Sequence, residues 1–417
     1  MIPPVVDVEA RRLSGRYWRL WTASTISNLG DGVAIVALPL LAVSLTRNPV
    51  LVSLLGVVQY LPWLLFSLIS GALVDRLDRR VLMWRTDVFR AVVISAVGLL
   101  VVVDWMSLPV LFSAAFLLGT AETLFDNASQ AILPSLVDRD DLAKANGRLQ
   151  GAEVVTNQFV GPPLGGLLFA AAAATPFLLD GASFLAAAVL VALIPGSFRP
   201  ARAAVASDTP VVRQVRDDIA EGLRWLWRHR VLRTLAMVLG GANLFWWAGE
   251  SVLVLFAQDV LGLDGAGYGV LLTSFAAGSV AASVTADRLI VWLGSGTALI
   301  ASLVAMGVCP LIAGLLSSPW LVGVMFVGAG FSTVVWNIIT VSLRQSIIPD
   351  EILGRVNSAY RFVGWGVIPL GALLGGVLAD VFGLRAPFIV GGVGMIVLAV
   401  VMAPIVNTRT IQEAQQR

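Results

Sequence analysis

The sequence predicts an all-α polytopic membrane protein with twelve transmembrane helices, arranged as two six-helix bundles related by a pseudo-two-fold axis. Three observations lead there: too little charge for a soluble surface, a one-sided distribution of positive charge, and a duplication at an offset of 211 residues. Of 417 residues, 58% are hydrophobic and only 13% charged, against roughly 25% charged in a soluble domain. The apolar share, roughly 240 residues, is what twelve helices of about 20 residues each would use. Mean hydropathy is +0.87. These figures exclude a cytosolic enzyme. They also argue against an outer-membrane barrel, whose strands alternate and whose lumen is polar.

Apolar runs place six spans near 20–45, 50–74, 82–103, 108–130, 146–170 and 174–195. A polar stretch at 196–233 separates them from six more, near 235–257, 267–286, 296–317, 319–343, 358–379 and 386–406. The first run, of about 25 residues, is too long for a secretory h-region and has no Ala-x-Ala site, so it reads as a retained span. With the N-terminus placed inside, 26 of the 28 Lys and Arg fall on the inner side and only Arg47 and Arg385 on the outer. That split predicts a multi-pass protein of the inner or plasma membrane with both termini cytoplasmic. It also accounts for the pI near 9.0, so no nucleic-acid partner is inferred.

The chain repeats itself. Gly119-Thr120-Ala121-Glu122 lies 211 residues before Gly330, and Val137 to Asn146 aligns with Ile348 to Asn357 at the same offset. Asp75-Arg76-Leu77 matches Asp287-Arg288-Leu289 at 212. The six-helix halves are therefore parallel duplicates, predicting bundles at 1–195 and 234–417 joined by a cytoplasmic linker at 196–233. In the linker Val215, Ile219, Leu223 and Leu226 share a helical face, with Arg213, Arg216, Arg224, Arg228 and Arg230 around it. This pattern fits an amphipathic helix on an anionic leaflet, or one whose apolar face packs on the bundle.

Several chemistries lack their residues. Cys309, His229 and Lys144 are each the only one of their kind. No disulfide framework, thiolate or histidine metal site, or histidine-based triad is available. Lys144 does not follow a glycine, so there is no phosphate-binding Walker loop. The expectation is a non-enzyme without cofactor or metal, powered by an ion gradient.

Two motifs carry the family signal. Between the second and third spans runs Gly71-Ala72-Leu73-Val74-Asp75-Arg76-Leu77-Asp78-Arg79-Arg80. It is similar to motif A of the major facilitator superfamily, with Gly71, Asp75, Arg76, Arg79 and Arg80 matching and Asp78 in place of the usual glycine. The fifth span holds Gly161-Pro162-Pro163-Leu164-Gly165-Gly166, similar to the core of the antiporter motif C, although Asn157 stands where an upstream glycine is usual. Prolines there kink the helix and glycines allow tight crossing. With Leu29-Gly30-Asp31, Asp180 to Phe184 and Glu221 to Trp227, the whole chain resembles the drug:proton antiporter branch of macrolide-efflux and Tap-like multidrug exporters. The resemblance implies that motif A, with Asp126 as a partner, is a cytoplasmic latch holding the outward-open state. The alternative is a positive-inside anchor that does not switch. Motif C implies export, or else is an ordinary kink.

Charges within spans are costly and mark function. Asp31 lies near midplane on one face with Trp21, Ser24 and Asn28. Glu250 in the seventh span aligns with it, near Asn243, Trp246 and Trp247. The two faces are expected to meet across a central cavity, serving cation attraction or proton exchange, or else acting as hydrogen-bonded structural acids. Arg90, Glu122 and Glu153 share a depth of roughly 10–12 Å and are expected to form an ion-pair group. Two acids facing one arginine would suit a proton carrier; the other reading is a neutral structural network. Asp87 and Asp126 are expected in a shallower layer near the motif A arginines, and Asp180 to cap or pair locally. Tyr60, Trp63, Trp246, Trp247, Trp336 and Trp365 either line a cavity or serve packing and lipid contact.

The function expected is a monomeric, proton-coupled secondary exporter of large amphipathic molecules, such as macrolide-type drugs, working by alternating access. The alternative within the fold is a siderophore or lysophospholipid transporter. A membrane receptor is a different class, without a signalling domain in the short tails. The partners expected are an amphipathic small molecule, protons and the lipid bilayer.

Overall fold

The computed structural model describes residues 13–74, 76–199 and 211–405. Within these residues every regular element is a helix. The first spans are α1 (Gly15–Leu45), α2 (Pro49–Val74), α3 (Arg79–Val102) and α4 (Leu108–Ile132). The next is a composite. α5 (Leu142–Glu153) passes through a π-helical stretch at Val154–Val160 into α6 (Gly161–Ala171). Pro162 and Pro163 have no N–H to give to the carbonyls four residues back, and the helix widens just before them. The Gly161 N–H accordingly reaches the Thr156 carbonyl, five residues back. α7 (Thr175–Ala192) follows, and α8 (Val211–Arg228) lies in the linker.

The remaining helices are α9 (Arg230–Glu250), α10 (Leu253–Asp259), α11 (Gly265–Leu293), α12 (Ser295–Leu315), α13 (Pro319–Ile347), α14 (Asp350–Trp365), α15 (Ile368–Phe382) and α16 (Ala386–Met402). The expected spans at 146–170, 235–257 and 358–379 are thus each built from two helices with a break. Among the described residues, nine helical stretches are long and apolar enough to cross a membrane. α3 falls outside that group because Arg85, Asp87 and Arg90 interrupt its apolar surface. α6 is short, with 11 residues, and α16 has 17.

Packing follows a consistent scheme. α1 lies against α6 and α7, α2 against α4, and α3 against α4 and α7. α9 lies against α15 and α16, α11 against α13, and α12 against α13 and α16. The two sets meet where α2 packs on α15 and α6 on α11. Small residues allow these approaches. A β-carbon on Gly166 would run into the Gly265 carbonyl, and one on Gly376 into the Ser53 hydroxyl. A shared apolar cluster at this end joins Val36, Leu40, Val43 and Val52 to Val252, Leu255, Phe256 and Tyr268. Arg47 closes it, its guanidinium 3.1 Å from Asp259 and 3.0 Å from the Gln258 amide oxygen. At the opposite end, where α2 and α4 terminate, the two sets part around a cavity.

The linker helix docks by its C-terminal part. Leu226 is fully buried, Gly222 sits on the Arg355 carbonyl, and Glu221 pairs with Arg355 at 3.0 Å. Here the apolar face packs on the bundle through α14. The side chains of Arg213, Val215, Arg216 and Ile219 lie outside the described residues.

Candidate functional site

Two sites emerge from the packing, a buried charge cluster inside the first six spans and a cavity between the two sets of helices.

The cluster centres on Arg90 of α3, which is only 4% exposed. Its Nη2 donates to Asp31 Oδ1 on α1 at 2.6 Å. Its Nη1 lies 3.8 Å from Asp87 Oδ1, one turn earlier on α3. Its guanidinium carbon sits 4.0 Å from the ring centre of Phe184 on α7, a cation–π contact in a desolvated place. Asp87 is wholly buried, and neither of its oxygens accepts a hydrogen bond from the described residues. Asp180 is buried too. It lies against Gly30, bonds its neighbour Ser183, and is within electrostatic reach of Arg90.

This arrangement revises the expected grouping. Arg90 pairs with Asp31 rather than with Glu122 and Glu153, because α1 and α3 bring their charged faces together through α7. Glu122 remains within electrostatic reach of Arg90, and Glu153, at the π-helical break, is exposed. Asp87 belongs to the buried cluster rather than to a shallow layer by the motif A arginines. Asn28 is half-buried on the Asp31 helix.

Glu250 does not face Asp31. It ends α9 just before the break to α10, beside a small cavity of about 20 Å³ lined by Phe245, Trp246, Met325 and Phe388. That is room for about one water molecule. Glu250 has no ion-pair partner among the described residues. Packing also sets its register differently. Gly161 closes on Gly32 and Gly371 closes on Leu244, which matches Asp31 with Asn243, and Asn243 donates to the Gly364 carbonyl at 2.7 Å.

The larger cavity encloses about 450 Å³, within the range of small-molecule sites. α2 contributes Tyr60, Trp63 and Ser67, α4 contributes Glu122, Asp126, Asn127 and Gln130, and α14 contributes Arg361 and Trp365. Tyr60 meets Trp247 edge-on at 4.5 Å and Trp63 meets Trp365 at 5.9 Å, so aromatic pairs from the two sets form its roof. Tyr60 is within electrostatic reach of both Glu122 and Glu250. Of the other tryptophans considered, Trp336 is buried in the core and Trp246 packs on Phe275 and Phe326. Asp126 lines this cavity, one helical turn from Glu122, and makes no ion pair with Arg79 or Arg80 in this arrangement.

The motif A arginines have other partners. Arg79 Nη1 donates to the Ala131 carbonyl at 2.8 Å and Arg80 Nη1 to the Ile194 carbonyl at 2.7 Å. Each cation thus sits at a helix C-terminus, where carbonyls are free and the dipole is negative. Arg76 is exposed. Gly71 faces open space rather than a closely packed helix, since α2 diverges from α15 toward this end around the cavity. Asp75 lies outside the described residues. The Gly161, Pro162, Gly165 and Gly166 run behaves as its composition predicts. Gly161 rests on Gly32, Gly165 on the Val33 carbonyl, Gly166 on Gly265, and the Pro162 carbonyl against Gly269.

Sequence reasoning passed over two residues. Asp78, noted only as a departure from a motif, caps α3 by accepting from the backbone N–H groups of Arg80 and Val81. Its second oxygen accepts from the Ser197 hydroxyl and the Phe198 N–H. Burial pushes its carboxyl up, but the donors at Phe198, Val81 and Ser197 and the charge of Arg80 outweigh it and hold the group below its usual value. The signal available was positional: an aspartate immediately before a helix is a good N-cap. Arg361 was counted only as an inner-side charge. Its position four residues before Trp365 marks a same-face cation–aromatic pair, seen at 4.5 Å.

Apolar helical spans, a cavity between two helix sets and charges buried in one of them, all within the described residues, are the architecture of a polytopic membrane transporter. The transmembrane secretion effector family of the major facilitator superfamily matches residues 13–416, and the chain belongs to it. The multidrug efflux pump Tap of Mycolicibacterium fortuitum is 30% identical, over 94% of this chain and 96% of its own. Macrolide efflux protein A of Streptococcus pyogenes is 24% identical, over 94% and 96%. Among solved structures, a mutant of the nucleoside transporter NupG superposes with a TM-score of 0.76 at 11% identity, covering 94% of this chain and all of that one. A bacterial homologue of the iron transporter ferroportin, in an inward-facing state, gives 0.73 at 16% identity, covering 98% and 100%. These two likenesses concern the fold.

Proposed function

We propose that the protein exports amphipathic small molecules across the plasma membrane by alternating access, in exchange for protons. The observation that carries this reading is the cavity of about 450 Å³, walled by aromatic and charged side chains from both sets of helices and capped at the Arg47 end by tight packing. In this reading the chain has twelve spans. Residues 1–195 and 234–417 form two bundles related by a pseudo-two-fold axis, with 196–233 as the linker and both termini cytoplasmic. The parallel between the α2–α4 and α11–α13 contacts, and between α3–α7 and α12–α16, supports it, as does the positive-charge split. The cavity then opens to the cytoplasm, and the motif A segment engages as a latch when that side closes. The efflux pumps named among the relatives support an exported cargo of drug type. The transporting unit is a monomer, since the cavity is complete within one chain.

Asp31, Arg90 and Asp87 are the proposed coupling centre, with Glu122, Asp126, Glu153 and Glu250 as acids on the path to it. A buried carboxylate in reach of several others is costly as an ion, and proton uptake relieves that cost. Expression in a pump-deficient bacterial strain tests the reading. Accumulation of a panel of macrolides, tetracyclines and cationic dyes should fall, and a protonophore should restore it. Unchanged accumulation of every compound would overturn the export reading.

A further inference from the structure

The cavity holds three ionic groups that form no ion pair among the described residues. Glu122 and Asp126 stand one turn apart on α4, with no hydrogen bond or ion pair among the described residues. Arg361, on α14, is exposed to the cavity, and its guanidinium carbon lies 4.5 Å from the Trp365 ring centre, with no ion pair to a carboxylate among the described residues. It sits within electrostatic reach of Asp126 without bridging to it. A cation and two anions sharing one cavity would normally close on each other; here they are held on different helices, in a cavity that Trp63 and Trp365 also line. Charge is therefore separated across an aromatic-lined space rather than neutralised.

We infer that the cavity selects dipolar amphiphiles, molecules with a flat apolar body, a cationic nitrogen at one end and a carboxylate or similar anion at the other. This rests on the proposed transport function and narrows its substrate class. Glu122 and Asp126 receive the cation, Trp63 and Trp365 the ring system, and Arg361 the anion. The cation–π contact with Trp365 holds the guanidinium in place, and its N–H donors, which make no hydrogen bond among the described residues, are available for a two-point contact, which a carboxylate matches and an ester does not. A purely cationic amphiphile meets the same acids and rings but leaves Arg361 without a partner. A purely anionic one meets repulsion from the two acids.

Rhodamine B and its ethyl ester test this directly. They share one ring system; at pH 7 the first is a zwitterion and the second a cation. Binding to purified, detergent-solubilised full-length protein is read by dye fluorescence anisotropy. The wild type should bind the zwitterion about tenfold tighter than the ester, as one charge-assisted two-point contact in a wet cavity provides. Arg361→Gln should abolish that preference while leaving ester affinity within about twofold. Arg361→Lys should restore part of it. Glu122→Gln should weaken both dyes together and leave their ratio unchanged. Arg361 is exposed, so its variants should keep the wild-type elution profile. If the wild type binds the ester but shows no zwitterion preference, or if Arg361→Gln leaves the preference intact, dipolar selection is wrong while the cavity remains a binding site. If neither dye binds, the cavity reading itself fails, and this inference with it.

Discussion

Arg90 and Asp31 form a hydrogen-bonded ion pair 2.6 Å long across two helices, with Asp87 waiting 3.8 Å away on the other side of the same guanidinium. One cation therefore serves two acids, and protonation of either one changes which of them it holds. This relation sets the first prediction. An asparagine at position 31 is nearly isosteric, and in isolation a neutral amide is easier to bury than a carboxylate. Here it removes the partner of a buried cation. Asp31→Asn should cost about 3 kcal/mol, the lower end for a broken buried pair, because Asp87 remains close. Asp31→Asn combined with Arg90→Leu should cost clearly less than the sum of the two single variants, although Asp87 is then left without its cation. Thermal unfolding of the four proteins in one detergent gives the double-mutant cycle. A cycle in which the two costs simply add would mean that the pair is not coupled.

Asp78 offers a test outside the membrane. Asp78→Gly restores the glycine usual in motif A, yet it should lower stability, because the tie to Ser197 and Phe198 is lost together with the α3 cap. The cap alone is worth about 1 kcal/mol against alanine and only a few tenths against glycine. A clear fall in the unfolding midpoint for the glycine variant would therefore report mainly the tie. The carboxyl is held below its usual value in the folded protein, so its contribution is present above pH of about 4 and fades as pH falls through the folded value. The difference between wild type and Asp78→Asn should accordingly shrink on acidification from pH 6 to pH 3. A difference that grows instead would contradict the assignment.

Arg47 and Asp259 stand 212 residues apart, at matching places after the first span of each half, and they clasp the end at which the helices are closed. Both are about half exposed, so the pair is worth up to about 1 kcal/mol. Arg47→Gln should shift the balance toward opening at that end by up to about fivefold, and less at high salt. Distances between spin labels on the α1–α2 and α10–α11 turns would show it. The charge-reversed pair, Arg47→Asp with Asp259→Arg, should return the distribution to that of the wild type.

Gly166 meets the Gly265 carbonyl so closely that any side chain must separate α6 from α11. Gly166→Val should therefore enrich the state open at the Arg47 end, by the same spin-label measurement, and lower transport. A valine variant with wild-type distances would mean that this glycine contact is not part of the closed state.

The fold was largely legible because its determinants are one-dimensional. Apolar runs, arginine asymmetry and the 211-residue repeat are all written along the chain, and the glycines of the fifth span sit where close crossing requires them. The prolines at 162 and 163 announced a disturbed helix, although not that it would widen into a π-helical turn. The site was less legible because depth along a helix does not say which way a side chain faces. Arg90, Glu122 and Glu153 lie at similar distances from the ends of their expected spans, but α3 turns Arg90 toward α1, and Asp31 takes it. Glu250 was matched to Asp31 by charge alone, whereas the contacts at Gly32 and Leu244 match Asn243 instead. Arg361 was overlooked because an arginine near a helix end is expected on topological grounds, and only the packing shows that it enters the cavity.

The central claim is exchange of an amphipathic cargo for protons through one cavity. It is tested most directly in proteoliposomes holding the purified protein, with the ethyl ester of rhodamine B outside and an imposed pH gradient, acidic inside. The account predicts dye uptake that starts with the gradient, collapses on adding a protonophore, and falls strongly in Glu122→Gln at equal protein content. Uptake that is indifferent to the gradient and the protonophore, or that requires sodium instead, would contradict it.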